Sequence, residues 1–181
     1  MTSVVCCAGH AIALLTHRFL MPPPAIKEPE RVALFGRLTY LTVQSNLFCC
    51  AFHALRLWRP DSTLVTRLHP LAFALGFALS ILYYGLNHFN DKNQALVKKW
   101  VAKGWVWVPL GNHLEHALAL PLAVLDSALL PRGAPAASDV VLLNGGYGLL
   151  YFFGVCMLGK KVAGHFPVWQ LVSNPCVHVS C

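Results

Sequence analysis

Runs of mostly apolar residues, each about long enough to cross a bilayer as a helix and each closed by Arg, Lys or Pro, recur along this chain. No other feature narrows its fold as much. A helix of roughly 20 residues spans the ~30 Å hydrocarbon core, so a chain built this way is expected to form an all-α integral-membrane bundle. Composition agrees: 56% of the 181 residues are apolar and 12% are charged, against about 25% charged in soluble domains. Mean hydropathy is +0.56. Disorder, a coiled coil and most soluble enzyme classes are thereby excluded. The net charge of +7 invites a nucleic-acid reading, but the cations stand between or beside the apolar runs, where they meet lipid headgroups. No nucleic-acid partner is expected.

Five runs make up a single multi-pass domain over residues 1–181. The first extends from about Val4 to Met21, contains His10, His17 and Arg18, and stops at Pro22, Pro23 and Pro24. Its start carries no charged n-region, so it reads as a retained helix and not as a removed leader. The second runs from about Leu38 to Trp58 and the third from about Pro70 to Asn87, with Tyr83 and Tyr84 as interfacial anchors. A polar loop bearing Lys92, Lys98, Lys99 and Lys103 follows. The fourth, Trp105 to Leu130, exceeds one straight span. Its true start is placed near Pro109, with Trp100, Trp105 and Trp107 along the interface and Pro121 bending the helix. The fifth, Val140 to Leu158, carries Gly145, Gly146, Gly148 and Gly154, small residues that suit close helix contact in lipid. Counting Lys and Arg on alternate sides gives ten against four, which places the N-terminus outside. The seven cysteines show no repeated C-x-x-C, so neither a disulfide framework nor a zinc cage is indicated. Cys6 and Cys7 read as small apolar helix residues rather than palmitoylation sites.

Ionisable groups inside such runs are costly, which makes each a candidate site. The densest group is Asn112, His113, Glu115 and His116. On a helix, His113 and His116 share a face. Three readings compete: a metal clip, for which the other histidines supply no second box; packing, with the histidines bonding neighbouring helices; and general-base chemistry by a neutral imidazole. A base needs a nucleophile, and Thr39, Thr42, Ser45 and Ser80 are the hydroxyls on neighbouring runs. Depth bears on Thr42. It lies about five residues past Arg37, roughly 7 Å in, and His116 lies about seven past Pro109, roughly 10 Å in. A helix start at Trp105 would sink His116 to roughly 16 Å and separate the two.

The strings Gly36-Arg37-Leu38-Thr39-Tyr40-Leu41-Thr42 and Val108-Pro109-Leu110-Gly111-Asn112-His113-Leu114-Glu115-His116, the latter followed by Leu120-Pro121, carry a family resemblance. The chain resembles the androgen-induced and androgen-dependent (tissue-factor-pathway-inhibitor-regulating) family of multi-pass membrane proteins. That resemblance implies a threonine hydrolase, without cofactor or metal, that cleaves fatty acid esters of hydroxy fatty acids drawn from the bilayer. Its nucleophile falls on Thr42 and its catalytic base on His116, with Asn112 and His113 as candidates for substrate binding or the oxyanion hole. The plasma membrane or the endoplasmic reticulum is the implied location. About five transmembrane helices are expected, with the family's last span missing after the stretch Gly164 to Pro167. Two alternatives stand beside the hydrolase: a non-enzymatic membrane scaffold or regulator in which the same residues only pack helices, and a metal-dependent lipid-modifying enzyme using His113 and His116.

Overall fold

The computed structural model describes residues 1–23, 38, 40–129 and 135–157. Every regular element among them is helical. Helix α1 covers Thr2–Phe19 and α2 covers Leu41–Trp58. Helix α3 covers Thr63–Leu82 and continues through a wider π-helical turn, Tyr83–His88. Helix α4 covers Asp91–Ala102, α5 Val108–Ala117, α6 Ala119–Leu129 and α7 Ala137–Tyr151. Thr39 and the C-terminal stretch, including Gly164 to Pro167, lie outside the described residues, as does the question of a final span.

The boundaries follow local chemistry. Ser62 caps α3 by accepting the Leu64 N–H at 3.3 Å, which lets that helix begin seven residues before the expected start and absorb Pro70 in its interior. The lysine-bearing stretch expected as a loop is instead α4, capped by Asn90 accepting from Lys92 N–H at 3.0 Å and opened by Asp91 at its positive end. Its outward lysines and buried Trp100 make an amphipathic helix, a pattern that a hydropathy scan for spans passes over. Helix α5 starts at Val108 with Pro109 in its first turn, leaving Trp105 and Trp107 before it.

Helix α1 packs antiparallel to α2, with Cys7 against Cys50 and His10 against Asn46, and also contacts α5 and α6. Helix α3 packs on α2, α6 and α7. Its Gly76 permits close approach, since a Cβ there would lie 3.0 Å from the Ala119 carbonyl and 3.1 Å from Ala123 Cβ. Gly111 does the same for α5 against Met21, whose sulfur would stand 2.8 Å from an added Cβ. The expected stripe on α7 does not act this way. Gly145, Gly146, Gly148 and Gly154 have no described neighbour within 4 Å of an added Cβ, because the face that α7 turns inward carries Leu143 and Tyr147 onto the Cys49, Phe52 and Leu75 cluster. Helix α7 is held by Tyr147 donating to Gln44 Oε1 at 2.9 Å and by Arg67 on Asp139 at 3.0 Å.

Buried polar groups and exposed apolar ones stand beside an apolar core. His10, Asn46, His53, Ser80, Glu115 and Asp126 are buried, while Val4, Ile12, Leu47, Phe77, Ile81 and Leu142 are among the large apolar residues left outside. Among the described residues one helix, Thr63–His88, is long and apolar enough to cross a membrane.

Candidate active site

Thr42 occupies the first turn of α2 and His116 the last turn of α5. Their side chains meet, with Thr42 Oγ1 at 3.1 Å from His116 Nε2. The other ring nitrogen, Nδ1, lies 2.7 Å from the Asn112 carbonyl one turn earlier. A carbonyl oxygen only accepts, so Nδ1 carries the hydrogen, and in the neutral ring Nε2 then holds the lone pair. The Thr42 hydroxyl therefore donates to Nε2. This is the arrangement in which an imidazole can remove the hydroxyl proton.

Two further neighbours hold His116, one at its ring and one at its main chain. Tyr83, buried in the π-helical turn, stacks on the ring with centroids 4.0 Å apart and planes at 12°. Ser80 donates its hydroxyl to the His116 carbonyl and accepts the Leu120 N–H at 3.1 Å. A serine hydroxyl is thus inserted where a helical N–H to C=O bond would run, at the joint between α5 and α6. Pro121 is the cause on the sequence side: it has no N–H to offer the Ala117 carbonyl and its ring crowds that turn. The bend expected at Pro121 therefore falls beside the base itself. Of the remaining candidate hydroxyls, Ser45 is buried at 1% exposure further along α2, and Ser80 is spent on backbone.

His113 takes a different partner. Its Nδ1 lies 2.8 Å from the Tyr84 hydroxyl, and its ring meets His88 edge-on at 5.0 Å. Adjacent tyrosines of the π-helical turn thus receive the two histidines separately. Asn112 and His113 line a cavity of about 210 Å³ with Tyr83, His88, Lys98 and Pro109. It lies on the side of α5 facing α4. Asn112 reaches His116 through its main-chain oxygen rather than through a recorded side-chain bond.

Glu115, which points away from His116, pairs with His17 of α1 at 3.1 Å. Asp126 does not orient the base. It receives Arg56, with His69 Nε2 at 3.5 Å and His53 Nδ1 at 3.9 Å. Arg56, counted from sequence as a flanking cation, is turned inward. Ligand-type atoms of Cys6, His53 and Asp126 lie within 4.8 Å of one another, but the guanidinium already neutralises that carboxylate and would repel an arriving cation.

Sequence reasoning missed Asn46. Its Nδ2 donates to the Thr42 carbonyl at 2.9 Å and to the Glu115 carbonyl at 3.1 Å, and its Oδ1 lies 2.9 Å from His10 Nδ1. A buried Asn four residues after the candidate threonine was the available signal.

These observations define a protein whose described residues form a helical bundle with a part-buried threonine–imidazole pair. Over residues 5–174 the chain matches the FAR-17a/AIG1-like protein family, and it belongs to that family. No curated protein and no solved structure matches it.

Proposed function

We propose that this protein is an ester hydrolase working inside a lipid bilayer, with Thr42 as nucleophile, His116 as general base and fatty acid esters of hydroxy fatty acids as substrates. The observation that carries the reading is the 3.1 Å Thr42 Oγ1 to His116 Nε2 contact, with the imidazole tautomer fixed by the Asn112 carbonyl. Membership of the FAR-17a/AIG1-like family supports the reaction class. Exposed aliphatic residues together with buried ionisable groups support a multi-pass bundle in lipid.

The chemistry runs in two halves. His116 Nε2 takes the Thr42 proton as Oγ1 attacks the ester carbon, and the tetrahedral intermediate collapses when the protonated imidazole returns that proton to the departing hydroxy-acid oxygen. Thr42 is left acylated. A water molecule, deprotonated by His116, then attacks the acyl carbon, and the proton goes back to Oγ1 as the fatty acid leaves. Asn112 and His113, on the same helix face, are the donors proposed for the oxyanion or the bound substrate.

Purified protein in lipid discs tests this. Thr42→Ala and His116→Ala are each expected to lower hydrolysis of such an ester by about 10²-fold or more, and to abolish labelling by a fluorophosphonate, at unchanged protein level. Full activity in both variants ends the hydrolase reading and leaves a membrane scaffold in its place.

A further inference from the structure

We infer that Asn46 is a positioning residue that sets the separation of Thr42 and His116. The inference rests on the hydrolase reading. Helices α2 and α5 meet over a short stretch only: α2 packs chiefly on α1 and α3, and α5 chiefly on α1. Something else must fix how far apart the two reactive atoms stand. Asn46, 2% exposed, spends both amide hydrogens on main-chain oxygens, one on the residue that bears the hydroxyl and one on the residue immediately before the imidazole. One rigid amide therefore ties both backbones at the reacting pair. Its oxygen can only accept, so His10 Nδ1 is the protonated nitrogen and completes the tie to α1. One of these bonds crosses to α5, at the Glu115 carbonyl, and the other stays within α2, at the Thr42 carbonyl, so a single amide joins the crossing to the turn that bears the hydroxyl.

Geometry of this kind governs rate rather than binding, since a shift of about 1 Å in a reacting pair costs on the order of 10²-fold. The test follows fluorophosphonate labelling of the full chain in lipid discs, separating the maximal labelling rate from the probe's half-saturating concentration. Asn46→Asp keeps the shape but cannot donate two hydrogens; Asn46→Leu removes the polarity without burying a charge. Both are expected to lower the maximal rate by about 10- to 100-fold, with half-saturation within about threefold. The thermal midpoint of Asn46→Leu is expected to stay close to wild type, and that variant carries the test where Asn46→Asp does not fold. Labelling at the wild-type rate in Asn46→Leu overturns the inference, as does a loss wholly accounted for by unfolded protein. If Thr42→Ala labels like wild type, the hydrolase reading itself fails and this one falls with it; Asn46→Leu at full rate beside an inert Thr42→Ala sinks the positioning role alone.

Discussion

At the scale of single residues, the site depends on which atom carries a proton. Because the Asn112 carbonyl claims Nδ1, the proposed base depends on the lone pair at Nε2. His116→Gln, which stays polar but offers no such lone pair, is therefore expected to lose about 10²-fold or more in initial rate. In the same assay Thr42→Ser, which retains an oxygen at Oγ, should keep activity within about tenfold, whereas Thr42→Val, nearly identical in shape, should lose about 10²-fold or more. That Thr42 and His116 meet was legible in the sequence, because their depths could be compared from Arg37 and Pro109. Asn46 and the use of Ser80 were not. Side-chain bonds to main-chain carbonyls leave no spacing pattern, since any helix carbonyl can be the acceptor and only the packed structure says which one is within reach.

At the scale of elements, close approach is set by glycines that the sequence did not single out. The glycine-rich helix α7 looked like the contact surface, yet an added methyl there meets open space, while Gly76 faces the Ala119 main chain. Gly76→Leu should therefore lower stability by about 1–3 kcal/mol through overpacking of α3 on α6. Gly146→Ala should be neutral or raise it by up to about 1 kcal/mol, by favouring the helix. Thermal unfolding of the two variants in one detergent distinguishes them. The long apolar helices were readable from hydropathy and proline. Helix α4 was not, because its apolar face is narrow and its buried anchor is the single residue Trp100. The joint at Leu118 was half legible: Pro121 foretold a bend, but the hydroxyl that fills it comes from a different helix.

At the scale of the whole molecule, four helices are fastened at the end opposite the dyad by the Asp126 group, where Arg56 and His53 of α2 and His69 of α3 converge and Cys6 of α1 stands close by. Arg56→Met strands a buried carboxylate and should cost about 3–5 kcal/mol, while Arg56→Met with Asp126→Leu should recover most of that loss, as measured by thermal unfolding. That the second and fourth runs begin on the same side was legible from the alternation of apolar runs, and the Thr42–His116 and Arg56–Asp126 pairs agree that α2 runs parallel to α5 and α6. The pairing of Arg56 was not, since a guanidinium at the end of an apolar run looks from sequence like a headgroup ligand. One further property follows from what sits behind the imidazole. Hydrolases with a serine nucleophile place a full carboxylate charge there to steady the imidazolium; a main-chain oxygen offers only a partial one. Under the hydrolase reading proposed above, each molecule would be a slow catalyst, and a membrane that needs more throughput would have to obtain it from copy number.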